Sequence, residues 1–527
     1  MTAKPCAPAG TTRYTPHHLP WDRFSKPVRT SIITAKPSIT AKNPDLKDLA
    51  SQTWKHLKDL NTPPFLFRRD GKLCRVEADD TGAPVPVAVD VHRMNFTLVE
   101  LINWIDIQKT KTEDGEVHEE EVNVRPPGDL ARHLVAGSDP PVPTLQRIVT
   151  APVFAATGQL LDKPGEYADG ILYLPPKSFR LPQFPPCPSA QDIQSAVDFI
   201  EQNLLVDFRF TSEAEKANCF AALLTPLVRE MISGPTPLHW VDKWKGGSGG
   251  TLLSGVIAVP HLGARPSGVT APRDEAEWIR VILSTLLRSP NVFFIDNCNA
   301  YLSSEALASA ITAARYEGRI IGSSHNEAAE VRCLWMINGN NLRFGWELAR
   351  RVVRIRIDPN EDDHKYVHED LLPWIIEHRA DVIYHLVVLV KAWQAKGCPG
   401  PVAGTPEFGS FESWRNVVGG ILNTAGIAGF LLNLDDARRD ADQESAVMRG
   451  FMEAWRAGPG PGPVFATDLL TISRNFFELP AAVHSASIRL GIILSKYESQ
   501  VHDGWRIQRL PQSQGKTPWQ LQAVPAP

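Results

Sequence analysis

The densest run of chemically useful residues lies between positions 238 and 256. An apolar stretch, 238–241, leads into Asp242-Lys243-Trp244-Lys245-Gly246-Gly247-Ser248-Gly249-Gly250-Thr251-Leu252-Leu253, and a helix pattern follows. Strand, glycine loop and helix in that order turn backbone N–H groups inward on an anion, at a helix start whose first amides have no partner. Lys245, Gly247, Ser248, Gly249, Gly250, Thr251 and Leu252 are therefore the candidate phosphate-binding residues. Thr251 stands where a hydroxyl would ligate Mg2+. Two positions depart from the G-x-x-x-x-G-K-[ST] pattern: Trp244 replaces its first glycine and Gly250 its lysine. Without that lysine, phosphate affinity or transition-state stabilisation should fall. Lys245, at the second motif position, is the visible substitute.

Three further features follow in order. Asp296 closes the run Val292-Phe293-Phe294-Ile295-Asp296, 45 residues after Thr251, and with Thr251 would hold Mg2+. Asn297 then stands where a water-activating glutamate is usual. Asn340 lies 44 residues beyond Asp296, at the end of a buried-looking stretch, where it would orient an attacking water; Asn338 is its rival. Arg350 and Arg351 come ten residues later, and a paired arginine at a helix end can complete a neighbouring subunit's site. The catalytic candidates are thus Asp296, Asn297, Asn340, Arg350 and Arg351. Between Asp296 and Asn340, residues 319–327 read as a hairpin with His325 near its tip, and Ser324, His325 and Asn326 are candidate DNA contacts. Each feature alone has a plain structural alternative: a flexible glycine turn, a core strand ending in Asp, a solvated basic face, an exposed turn. Their order and spacing together are those of an AAA+ core.

The elements needed to position these groups are legible. Residues 190–360 alternate helix (190–203, 212–231) with strand (239–241, 292–296, 319–323, 331–337). Continuous apolar runs such as 292–295 suit strands covered on both faces of a parallel sheet. Ahead of this lies an α+β domain, 45–185. It has helices at 45–60, 97–104 and 129–136, strands at 65–67, 73–76 and 85–91, and a charged hairpin or loop at 109–121. Residues 1–44, rich in Pro, Thr, Ser, Lys and Ala, read as a flexible tail. Residues 361–456 read as a helical region, and a Gly/Pro linker at 457–463 follows. The last segment, 464–527, has two helix patterns (468–477, 485–497) and two short strands (505–509, 519–523), which suits a winged helix.

Composition sets limits. Hydrophobic residues are 43% and charged residues 22%, enough to bury cores in several domains. A net charge of -4 excludes a globally basic nucleic-acid coat but not a local basic channel. No apolar stretch approaches the ~20 residues of a membrane span. Seven scattered cysteines without metal spacing argue against a disulfide framework and for the cytoplasm.

With these motifs in place, the chain resembles AAA+ replicative helicases, or the helicase half of primase-helicases, of bacterial prophages, plasmids and integrated mobile elements. The resemblance runs from about residue 46 through most of the chain. It is carried by Leu66-Phe67-Arg68-Arg69, Arg147-Ile148-Val149-Thr150-Ala151-Pro152-Val153-Phe154, Leu172-Tyr173-Leu174-Pro175-Pro176, Ile295-Asp296-Asn297 and Gly339-Asn340-Asn341-Leu342. Gly409-Ser410-Phe411-Glu412-Ser413-Trp414 and Val417-Val418-Gly419-Gly420-Ile421-Leu422 add to it. It implies an α/β AAA+ P-loop core, after an α+β domain and before a helical region and a C-terminal winged helix. It also implies a superfamily-3-like or MCM-like ring, a hexamer in the bacterial cytoplasm, using ATP and Mg2+ on single-stranded and duplex DNA for mobile-element replication. Priming would come from a separate primase, because the first ~180 residues lack a paired-Asp strand motif. Asp-Asn at 296–297 is usual in that family, whereas its loop ends Gly-Lys-Thr, unlike Gly249-Gly250-Thr251 here. The alternative is a non-hydrolysing AAA+-like DNA-binding or assembly protein.

Overall fold

The computed structural model describes residues 36–524 except 80–81, 112–116, 168, 244–248, 273, 299–300, 320–325, 341, 359–366, 442, 499–500 and 513–516. Its centre is a five-stranded sheet of β1 (Leu238–Lys243), β2 (Gly268–Val269), β3 (Val292–Cys298), β4 (Leu334–Asn340) and β5 (Val352–Ile357). The order across it is β2-β3-β4-β1-β5, with every neighbouring pair parallel. All five strands therefore end at one edge, the edge where open parallel sheets bind ligands. The mixed α/β fold with a parallel sheet agrees with the expected class.

Helices cover both faces, which explains the unbroken apolar runs. Trp240, Phe293, Ile295, Trp335, Met336 and Ile337 have no exposed surface. Helices α1 (Glu213–Val228) and α2 (Gly250–Leu262) are buried almost throughout, and α1 packs on α2 and β5. Polar ties fix α1 to the sheet edge. Arg354 on β5 donates to the buried Glu215 at 3.0 Å, whose other oxygen accepts from the Arg356 N–H at 2.8 Å. Burial raises the Glu215 carboxyl above its ordinary range, and Arg354 opposes that rise.

The core of the sheet extends far along the chain. It takes in α3 (Arg379–Ala395) and α4 (Glu412–Ala425) and ends at Leu434. Trp414 explains why: fully buried, it packs edge-on to His239 of β1 and donates its indole N–H to Thr225 of α1 at 2.9 Å. The helix Gln443–Ala457 belongs to a different core. Its Met448, Phe451 and Trp455 pack with Leu490, Ile507 and Trp519. The helical stretch expected over 361–456 thus divides between two cores. The second core continues through helices Leu470–Ser473 and Val483–Lys496 onto a four-stranded antiparallel sheet, which includes Trp505–Arg509 and Pro518–Ala523.

A third core, toward the start of the chain, gathers Ile39, Leu49, Leu57, Met94, Leu98, Trp104 and Leu130. The tail expected over 1–44 lies outside the described residues up to 35. Within it, Ser38–Thr40 forms a strand paired in parallel with Asn103–Lys111. The helix expected at 97–104 is instead Val91–Leu101, because Asn103–Lys111 is drawn into that pairing and into a second one with Val117–Asn123. The excursion at 109–121 is therefore the far end of an antiparallel pair. No helix among the described residues is long and apolar enough to cross a membrane.

Candidate nucleotide-binding site

β1 delivers the chain to the ligand edge with Asp242 and Lys243 both buried. Asp242 is held by Arg356 of β5, whose Nε donates to it at 2.5 Å. Burial raises the Asp242 carboxyl, and the Arg356 guanidinium counteracts it. The chain returns at Gly249, the N-cap of α2, at φ +80, a left-handed conformation that glycine adopts without strain. No side chain caps α2. The free N–H groups of Gly250, Thr251 and Leu252 and the positive end of the helix dipole therefore face the sheet edge together, a ready anion site. Lys245, Gly247 and Ser248 lie outside the described residues.

Asn338 of β4 joins the elements on either side. Its Nδ2 donates to Thr251 Oγ1 at 3.2 Å and to Asp296 Oδ1 at 2.9 Å, and its Oδ1 accepts from the Asn297 N–H at 2.6 Å. A β-bulge makes this possible. The β3–β4 register runs evenly to Ile295 opposite Ile337, then resumes at Cys298 opposite Gly339 with one extra residue on β3. Such an insertion bends a strand and re-aims its side chains. Asn297 absorbs the bend at φ +53, a conformation asparagine tolerates. Gly339 completes it, because a Cβ there would collide with the Cys298 carbonyl oxygen.

Thr251, Asp296, Asn297 and Asn338 are thus brought together at the head of α2. Asn340 is the last residue of β4, and its side chain lies outside the described residues. The sequence named Asn338 only as a rival, since spacing alone does not separate two asparagines one residue apart around an unseen bulge. It missed Asp242 with Arg356, and Lys243. The only sequence signal was a charged pair closing an otherwise apolar strand.

The arginines sit elsewhere. Arg350 and Arg351 follow the short helix Trp346–Ala349 and precede β5, at the opposite edge of the sheet. Glu347 binds both, at 2.9 Å and 2.6 Å. Arg351 is largely covered, with 13% of its side chain exposed, whereas Arg350 keeps 50% exposed and lies 4.8 Å over the Trp346 ring. The hairpin at 319–327 is an antiparallel pair, Arg315–Arg319 with Asn326–Glu330, Arg319 facing Asn326. Of the strand expected at 319–323, only Arg319 is among the described residues, as the last residue of Arg315–Arg319. The hairpin's turn, including Ser324 and His325, lies outside the described residues, and Asn326 is exposed where the second strand begins. Toward the turn end of this pair, Glu327 forms an ion pair with Lys72 at 2.8 Å, and Gly318 packs close against Ile279 and Leu283.

No family model matches the chain, and no curated protein matches it. Among solved structures, the chain is similar to the apo A form of the NrS-1 C-terminal region, at 12% identity and a TM-score of 0.35, covering 82% of this chain and 98% of that one. A structure of NrS-1 residues 305–718 gives 12% identity, a TM-score of 0.31 and coverage of 82% and 99%. The SCCmec type IV Cch protein, described as an active helicase, gives 11%, 0.32 and coverage of 86% and 91%.

Proposed function

We propose that the chain is an ATP-dependent DNA helicase or translocase acting as a ring, a hexamer, in replication of a mobile element. The observation that carries the nucleotide part is the double hydrogen bond from Asn338 to Thr251 and Asp296 at the uncapped head of α2. A hydroxyl and a carboxylate, both hard oxygen donors, lie on one amide nitrogen, which suits a small divalent cation. Mg2+ held by Thr251 and Asp296 would neutralise charge on the phosphates. The N–H groups of residues 250–252 bind phosphate oxygens, and Asn338 and Asn340 are the amides available to orient water. Asn297 replaces a carboxylate base, so water is oriented here rather than deprotonated by a side chain.

DNA contact is assigned to the hairpin tip, Ser324, His325 and Asn326, and to the C-terminal segment read as a winged helix. Residues 464–527 carry six Lys/Arg against four Asp/Glu. A separate primase is the expected partner. Arg350 supports the ring reading, since it is better placed for a neighbour's nucleotide than for its own. One observation favours a second reading, a non-hydrolysing assembly protein: Gly250 leaves the motif without its lysine. Steady-state ATP hydrolysis with and without single-stranded DNA separates the two. The helicase reading expects DNA-stimulated turnover that Asp296→Ala lowers at least ~tenfold, about 1.4 kcal/mol of barrier. Turnover at the buffer rate in both chains would leave the assembly protein.

A further inference from the structure

Lys243, the last residue of β1, is 7% exposed, yet among the described residues its ammonium has no hydrogen-bond or ion-pair partner. Its Nζ is not among the fully covered atoms that lack a partner, so the stem is covered while the ammonium is open to an arriving anion. The neighbouring carboxylate, Asp242, is already taken by Arg356. The lysine stem follows a telling path. A Cβ placed on Gly250 would meet Lys243 Cγ at 2.5 Å, Cδ at 2.6 Å and Cε at 2.7 Å. The stem therefore occupies the space that a side chain at position 250 would need. Its ammonium, one bond beyond Cε, lies within roughly 4 Å of the same point, beside the uncapped first turn of α2.

We infer that Lys243 supplies the phosphate-binding cation that position 250 lacks, reaching the β- and γ-phosphates of a nucleoside triphosphate from the end of β1. The loss of the motif lysine and the gain of Lys243 are one exchange. Gly250 has no side chain because Lys243 runs over it, and either lysine fits only when the other position is small. This rests on the nucleotide reading above and assigns the cation within that site. Lys245 is not needed for it.

The test is binding of MgADP to the full chain by titration calorimetry, with a melting curve for each variant. Lys243→Met keeps the stem over Gly250 and removes the charge, and binding is expected to weaken at least tenfold, about 1.4 kcal/mol. Gly250→Lys alone is expected not to tighten binding, because its Cβ meets the Lys243 stem. Lys243→Ala is expected to weaken binding as Lys243→Met does, and Lys243→Ala with Gly250→Lys to restore it, the non-additivity expected of two residues in contact. If Lys243→Met lowers the melting temperature, this rescue decides. Wild-type affinity in Lys243→Met overturns the assignment, as does loss of binding in Lys245→Ala with Lys243→Met unaffected. Tenfold tighter binding in Gly250→Lys alone also overturns it, since the space would then be free. No MgADP binding by the wild-type chain overturns both this inference and the nucleotide reading, whereas binding with Lys243→Met unaffected overturns the lysine alone.

Discussion

Asn338 is the residue on which the site turns, because one buried amide holds Thr251, Asp296 and the Asn297 backbone in register. Asn338→Ala should lower ATP turnover at least ~tenfold and lower stability by about 1–3 kcal/mol, since the Asn297 N–H loses its acceptor. Parallel turnover and urea-melting measurements check both. Thr251 and Asp296 were legible in the sequence because each sits at an element end whose pattern is local. Asn338 and Lys243 were not, because their roles depend on a bulge in one strand and on how closely another passes a glycine. Two buried histidines add a pH dependence. Burial pushes His239 down to about 4 and His261 down to about 3, below the ordinary value near 6.5. The unfolded chain binds protons there that the folded chain refuses, so stability is full above pH ~6.5 and falls as pH drops toward 4. At pH 5 each should account for about 2 kcal/mol of the loss. Urea midpoints at pH 7.5 and 5 should show His239→Phe losing less than the wild type, and equal losses would contradict it.

Among the elements, β1, β3 and β4 were legible from apolar runs and the hairpin from its place between two of them, whereas β2 (two residues long) and β5 (with Arg354 and Arg356 inside it) were not. The expected 97–104 helix runs two residues past the observed C-cap at Ile102, because Asn103 and Trp104 begin a strand fixed by partners at Ser38–Thr40 and Val117–Asn123, and local propensity does not report such distant pairings. The Gly/Pro linker at 457–463 looked like a domain boundary. Yet the helix before it, Gln443–Ala457, buries Met448, Phe451 and Trp455 against residues beyond it. A chain ending at Gly462 should therefore expose that apolar face. It should bind a hydrophobic dye more strongly and melt lower than a chain ending at Ala441. The reverse order in dye binding and melting would place the boundary at the linker.

For the whole molecule, the arginine pair and the nucleotide edge lie at opposite ends of β5 and its neighbour β1. Five steps separate Val352 from Ile357, roughly 16 Å at ~3.3 Å per residue, so Arg350 cannot touch a phosphate at the head of its own α2. Its half-exposed guanidinium suits a neighbouring copy, as a head-to-tail ring requires. Arg350→Ala and Asp296→Ala should each abolish turnover alone. Mixed, they should regain part of it, because an intact Asp296 on one copy then meets an intact Arg350 on the next; an inactive mixture of assembled chains would contradict shared sites. In the proposed function, a nucleotide held by α2, Asp296 and Asn338 drives movement along DNA. Displacement of a labelled strand from a forked duplex in the presence of MgATP tests it most directly. Displacement is expected of the wild-type chain and none of Asp296→Ala, with the fork bound by both. A wild-type chain that binds the fork and displaces no strand at saturating MgATP would contradict it.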